Sequence, residues 1–123
     1  RCAICRAFAL DSPIMLMDEP FGALDAVTRA RLQDMTLALW HRDLNNRKTI
    51  MFVTHDVDEA LLLATKIYIF GLKPSKIIYT HQFGQEKFMD RERLFENKDI
   101  IELRNKLIQI LNKDVGRKIN RQI

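Results

Sequence analysis

The sequence predicts an α/β fold, a parallel sheet with flanking helices. Two apolar runs, residues 14–17 and 49–54, lack polar alternation, which is typical of strands covered on both faces in a parallel sheet. The order strand, helix, strand, helix, strand is typical of crossover connections. A length of 123 residues corresponds to one ordinary domain and suffices to bury a core.

Capping residues and turn residues set the predicted bounds of the elements. Asp25 is placed to cap one helix, and Asp56 with Glu59 forms a capping box for another. Gly71 and Pro74 predict a turn between the last two strands. In chain order we expect a helix over 1–10, a strand over 14–17, a helix over 26–44, strand 49–54, helix 57–65, strands 67–70 and 76–80, and an apolar-striped helix near 100–111.

Several classes of protein are disfavoured by composition. No apolar run approaches the ~18 residues of a membrane span, and the first residues lack the pattern of a secretory signal. Two cysteines do not make a disulfide scaffold. Cys2 and Cys5 form a C-x-x-C, but a zinc site needs further ligands, so we expect them to pack as small hydrophobic residues on a helix.

The positive charge is concentrated in the C-terminal part. Of the basic residues 8 precede Leu72 and 12 follow it, against 9 and 7 acidic residues. Arg117, Lys118 and Arg121 form a modest basic cluster without interleaved aromatic residues. A basic nucleic-acid-binding domain therefore remains an alternative, while a solvated tail is the simpler interpretation.

The sharpest feature is the pair Asp18 and Glu19 at the end of the first strand. Open α/β sheets bind ligands at the carboxyl ends of their strands. A carboxylate there suits Mg²⁺, a hard cation that takes oxygen ligands and retains waters. An adjacent carboxylate can orient or deprotonate a water. The alternative is that Asp18 and Glu19 are two solvated acidic residues at a strand end with no role in a site.

His55 follows the second strand directly. If the two strands are neighbours, this imidazole projects at the same sheet edge as Asp18 and Glu19. There it can hydrogen-bond a phosphate oxygen and hold a carboxylate or a water in place.

These motifs together resemble the ATP-binding subunit of an ABC transporter. MLMDEP at 15–20, FGALD at 21–25 and TH at 54–55 stand in the order and spacing of the family's Walker B motif, D-loop and switch histidine. Residues 1–13 resemble the helix after the signature motif, and 59–70 resemble the helix and strand after the switch. The tail is most similar to importer ATPases for nitrate, sulfonate and taurine. The resemblance implies a partial P-loop NTPase fold of the RecA-like, ABC type.

The resemblance also implies roles for four residues. Asp18 would hold the Mg²⁺ of MgATP, and Glu19 would act as general base on the attacking water. His55 would contact the γ-phosphate, and Asp25 would lie in the D-loop at the interface of two ATPase subunits. The D-loop here begins with Gly22, where many members of the family have Ser.

Three motifs of this family are absent from the sequence. No G-x-x-x-x-G-K-[ST] phosphate loop, Gln loop or Leu-Ser-Gly-Gly signature is present. We therefore expect residues 1–82 to be the C-terminal part of a nucleotide-binding domain and 83–123 a helical extension. In the family the phosphate-loop strand lies between the switch-histidine strand and the strand like 67–70. Without it we expect exposed apolar side chains, unpaired backbone groups and a marginally stable or aggregating chain.

The resemblance implies partners for the full protein as well. These are ATP and Mg²⁺, a second ATPase subunit in a homodimer, membrane permease subunits and a solute-binding protein, at the cytoplasmic side of the membrane and without nucleic acid. A DNA-repair or chromosome-maintenance ATPase shares the same motifs and is a second alternative, although no sustained heptad pattern for its coiled coils is present.

Overall fold

The computed structural model describes residues 2–42, 47–72, 75–84 and 91–122. The chain forms two compact units that meet in sequence between His55 and Asp56. Pro74, the predicted end of the second helix at 43–44, and the side chains of the basic cluster near the C-terminus lie outside the described residues.

The first unit contains a parallel pair of strands. Ile14 stands opposite Thr49 and Asp18 opposite Val53, with no shift of register between them. The predicted neighbourhood of the two strands is therefore confirmed. The elements are α1 (Cys2–Ala9), β1 (Ile14–Asp18), α2 (Ala26–Arg42) and β2 (Thr49–Val53).

The core of this unit lies on one face of the strands. Met15 and Met17 are 7% exposed, because successive side chains of a strand point to opposite faces. Phe21, just after β1, is fully buried, and its ring centroid lies 5.8 Å from that of Phe52 on β2. Leu32 of α2 is also buried.

The opposite face of the strands is exposed, so the expectation that both faces are covered is wrong for the described chain. Ile14 and Leu16 of β1 are 65% and 70% exposed, and Met51 and Val53 of β2 are 64% and 44% exposed. Apolar side chains at alternating positions thus form an open patch, a feature that favours association with other apolar surfaces.

The second unit contains an antiparallel hairpin and three helices. Lys66 stands opposite Gln82, and the Gly71 N–H donates to the Lys76 carbonyl at 2.7 Å to close the turn. The predicted strands are confirmed within one or two residues of their bounds. The elements are α3 (Val57–Leu63), β3 (Lys66–Phe70), β4 (Ile77–Gln82), α4 (Arg91–Glu96) and α5 (Lys98–Gln122).

The single sheet expected from the element order is not formed by the described residues. They form two separate two-stranded sheets, β1 with β2 and β3 with β4. Two strands of a hairpin need only a short turn to pair. To join the parallel pair, β3 would need the phosphate-loop strand between them, which this chain is expected to lack. The mixed α/β class and a small parallel sheet are confirmed.

The last helix is longer than predicted. Its buried residues Ile100, Leu103 and Leu107 match the predicted apolar stripe, but it continues to Gln122. Gly116 lowers helix stability by only ~1 kcal/mol and no Pro follows it, so nothing local ends the helix at Leu111.

Polar contacts fix both the start and the middle of α5. The Asn97 side chain accepts hydrogen bonds from the N–H groups of Asp99 and Ile100 at 2.9 and 3.3 Å. Arg104 donates to Asp58 of α3 at 2.6 Å, and that hydrogen bond and charge raise the pKa of the Arg104 guanidinium.

The expectation that the cysteines pack in a core is wrong for Cys5. Its thiol is free and the residue is exposed on α1, because the apolar residue Ile4 turns inward instead. Among the described residues, no helix has the length and apolarity needed to cross a membrane.

Leu16→Ala and Met17→Ala are expected to differ strongly in their effect on stability, although the residues are adjacent. Met17→Ala should lower the free energy of unfolding by about 2–5 kcal/mol, because Met17 is buried. Leu16→Ala should change it by about 0.5 kcal/mol or less and reduce self-association. Urea denaturation and light scattering against protein concentration measure both effects. Equal destabilisation by the two variants would contradict the one-sided burial of β1.

Candidate functional site

Parallel pairing brings the residues after β1 and β2 to one edge of the sheet. The ladder continues past Asp18, since the Glu19 N–H donates to the Val53 carbonyl at 2.8 Å. Glu19 therefore leaves β1 beside the point where the chain leaves β2 toward His55. This is the edge at which parallel α/β sheets bind ligands.

Glu19 and His55 are in direct contact. Glu19 Oε1 lies 2.8 Å from His55 Nε2, with the side chains 42% and 91% exposed. A contact this exposed contributes about 0–1 kcal/mol to stability. Its main effect is therefore to orient the carboxylate and the imidazole relative to each other. The imidazole can donate from Nε2 while Nδ1 remains for a second partner, and the carboxylate retains Oε2 for a water.

The backbone of Glu19 is strained. Its φ of 46° places it in the left-handed region, where it is the only residue other than glycine among those described. That conformation costs about 1–2 kcal/mol for an L-residue with a Cβ. Such strain is concentrated at functional sites, because it aims a side chain in a direction that regular backbone does not allow.

Asp18 ends β1 and is exposed at the same edge. Its carboxylate is an oxygen donor of the kind that Mg²⁺ prefers, and Mg²⁺ is usually held by one or two carboxylates together with waters and phosphates. In the part of the chain that the structure describes, no three His, Cys, Asp or Glu side chains gather as metal ligands. The exposed carboxylate of Asp18 could give such a site one ligand, and its predicted role at Mg²⁺ stays a prediction.

The turn after Glu19 is held by Arg29, a residue that the sequence did not single out. Arg29 Nε donates to the Phe21 carbonyl at 3.2 Å and Nη2 donates to the Leu24 carbonyl at 2.9 Å. Helical side chains lean toward the helix N-terminus, so an Arg in the first turn of α2 is placed to reach this turn. The position of Arg29 in the first turn of α2 is therefore the sequence signal from which these contacts could have been predicted.

Two aspartates cap the helices that follow the site. Asp25 Oδ1 accepts from the Thr28 N–H at 3.2 Å, as the sequence predicted. Asp56 Oδ1 accepts from the N–H groups of Asp58 and Glu59 at 2.9 and 3.3 Å, which confirms the start of α3 directly after His55. The predicted role of Asp25 at a subunit interface stays a prediction.

Comparison with known proteins gives homologues that include ATP-binding proteins of ABC transporters. The chain is 39% identical over 115 residues to an uncharacterised ABC transporter ATP-binding protein of Methanocaldococcus jannaschii, covering 94% of this chain and 40% of the relative. It is 41% identical over 109 residues to an aliphatic sulfonates import ATP-binding protein of Bacillus cereus, covering 89% and 41%.

A third relative matches a shorter stretch more closely. The chain is 52% identical over 77 residues to a putative ATP-binding protein of Brucella melitensis, covering 63% of this chain and 31% of the relative. No family model matches the chain. The chain therefore spans well under half the length of these relatives, while the matched stretches cover most of its own length.

Replacing Glu19 tests the strain at this position. The free energy of unfolding of Glu19→Gly should be about 1 kcal/mol higher than that of Glu19→Ala, so the Gly variant is the more stable one. Only the Ala variant keeps a Cβ in the left-handed conformation. At Asp18, in regular strand, the order should reverse, since Gly weakens a strand by about 0.5–1 kcal/mol relative to Ala. Urea denaturation of the four variants measures both differences. Equal stabilities at Glu19 would contradict the strain.

Proposed function

Since the chain is homologous to ATP-binding proteins of ABC transporters, aliphatic sulfonate importers among them, we propose that the full protein hydrolyses ATP to drive solute import. Residues 1–82 form the C-terminal part of its nucleotide-binding domain, and 83–123 form a helical extension. The observation that carries the proposal is the 2.8 Å contact between Glu19 and His55 at the carboxyl edge of a parallel strand pair.

The proposed chemistry begins with the carboxylate of Glu19. It would accept a proton from the water whose oxygen bonds to the γ-phosphorus while the bond to the bridging oxygen breaks and ADP leaves, and the free Oε2 is the atom available for that water. His55 keeps the carboxylate oriented through Nε2 and offers its other nitrogen to a phosphate oxygen. The left-handed backbone of Glu19 supports this role, because it aims the side chain in a direction that regular strand backbone does not allow.

Asp18 would hold Mg²⁺ at the neighbouring position, largely through water. When bound with ATP, the ion neutralises charge that develops on the phosphate oxygens. Asp18 and Glu19 thereby divide two tasks, since one carboxylate binds the cation and the other handles the proton. Their adjacency at a strand end allows both to act on one triphosphate.

Phosphate binding must come from sequence that these 123 residues do not contain. The chain holds four glycines and no glycine-rich loop with the Lys that cradles phosphates. We therefore propose that the 123-residue chain is inactive alone.

The proposed assembly is the one that the resemblance implies, and the homologues support it in general terms. The protein would work as a homodimer with Asp25 near the subunit interface, bound to permease subunits at the cytoplasmic side of the membrane and supplied by a solute-binding protein. Because one relative is named for aliphatic sulfonate import, a small sulfonate is the solute class that we propose to test first.

In the intact protein, Glu19→Gln is expected to lower kcat for ATP hydrolysis by about 10²–10⁴-fold while MgATP still binds, because the amide cannot accept the proton. Glu102→Gln, an exposed glutamate on α5, is the matched control and should leave kcat unchanged. Phosphate release and nucleotide binding measure the two steps. A Glu19→Gln enzyme with the original kcat would refute the assignment of the base.

The purified 123-residue chain is expected to show no Mg²⁺-dependent ATP hydrolysis above that of Glu19→Gln in the same chain, because it has no phosphate loop. A sensitive phosphate-release assay measures both. Hydrolysis that Glu19→Gln abolishes would show that the chain is sufficient, and would contradict this part of the proposal.

A further inference from the structure

A cavity of about 240 Å³ opens at the amino ends of β1 and β2, the ends remote from Glu19 and His55. It is bordered by the segment between α1 and β1, by the end of α2 and by the residues before β2. The residues that line it include Leu10, Pro13, Leu39, Trp40, Arg47 and Lys48. Nothing in the proposed ATP chemistry uses these residues.

Hydrogen bonds hold the walls of this cavity in place. The Trp40 indole N–H donates to the Lys48 carbonyl at 2.8 Å. The Lys48 ammonium donates to the carbonyls of Ser12, at 2.6 Å, and Leu10. The Thr49 N–H donates to the Pro13 carbonyl at 2.8 Å. This hydrogen bond joins the segment before β1 to the start of β2.

The lining is strongly cationic. Among the residues that the structure describes, Arg42, Arg47 and Lys48 line the cavity together with one acidic residue, Asp11. Lys48 donates to two carbonyls, which leaves the third N–H of its ammonium group for another acceptor. A cavity with this surplus of positive charge attracts an anion.

Arg47 is oriented by its neighbours. Its guanidinium carbon lies 4.6 Å from the centre of the Trp40 ring, and Nη2 lies 3.4 Å from His41 Nδ1. Burial, and then the charge of Arg47, lower the pKa of His41, which favours the neutral imidazole as acceptor for Arg47. The guanidinium has five N–H groups, so its remaining edge can present two of them to an oxyanion.

Apolar side chains also contribute to the lining, which is polar over most of its area. Leu10, Pro13, Leu39 and the Trp40 ring contribute hydrocarbon and aromatic surface. The volume exceeds the ~150 Å³ of a cavity that holds benzene. There is thus room for a small ring or short alkyl group beside the basic residues.

We propose that this cavity binds a small organic anion, a phosphate or sulfonate group carried on a compact apolar body. The oxyanion lies against Arg47 and Lys48, and the apolar body lies against Trp40 and Leu39. The site is separate from the proposed triphosphate site, and it takes a different class of ligand from MgATP.

Trp40 makes the proposal directly testable, because it is the only tryptophan in the sequence. Its fluorescence in the 123-residue chain should change saturably with phenyl phosphate, with a Kd of about 1 mM or tighter for a ligand of this size. Benzenesulfonate should bind similarly, whereas inorganic phosphate and phenol should each bind at least ~10-fold more weakly. Equal binding of phenol and phenyl phosphate, or no saturable change, would overturn the proposal.

Matched charge variants locate the site. Arg47→Gln should weaken phenyl phosphate binding by about 10-fold or more, and Arg42→Gln by a smaller factor. Arg31→Gln removes the same charge from an exposed position on α2 outside the cavity and should leave Kd unchanged. Circular dichroism confirms that the variants fold. Equal effects of Arg42→Gln and Arg31→Gln, together with no loss in Arg47→Gln, would show that binding lies elsewhere and refute the assignment.

Discussion

The in-register parallel pairing of β1 with β2 is the interaction on which the first unit depends. The ladder runs from Ile14 and Thr49 to Asp18 and Val53. One further backbone hydrogen bond, from Glu19 to Val53, extends it at the carboxyl end. Because the strands point the same way, residues distant in sequence leave the sheet side by side, and an imidazole meets a carboxylate there. A slip by one residue would turn every strand side chain to the opposite face.

Features with local causes could be predicted from the sequence. The strand positions follow from short apolar runs, and the starts of α2 and α3 follow from Asp25 and Asp56, whose carboxylates accept from N–H groups two or three residues ahead. The meeting of Glu19 with His55 required only one long-range assumption, that two successive strands are parallel neighbours. The same motifs sufficed for the resemblance that the homologues confirm.

Features with non-local causes could not be predicted. The missing phosphate-loop strand predicted exposed apolar side chains, but an apolar strand has the same pattern whether one or both of its faces are covered, so the residue types did not identify Leu16 and Met51 as the exposed ones. The left-handed backbone of Glu19 begins the turn that leads to buried Phe21, and the contacts of Arg29 depend on where that turn lies.

The brevity of β1 has a mechanical consequence. Five residues of strand span about 17 Å, and this rod has the acidic pair at one end and the Lys48-bound carbonyls just before the other. The cavity and the carboxylates therefore lie at opposite ends of one short strand, so a substitution that disrupts its pairing with β2 is expected to disturb both.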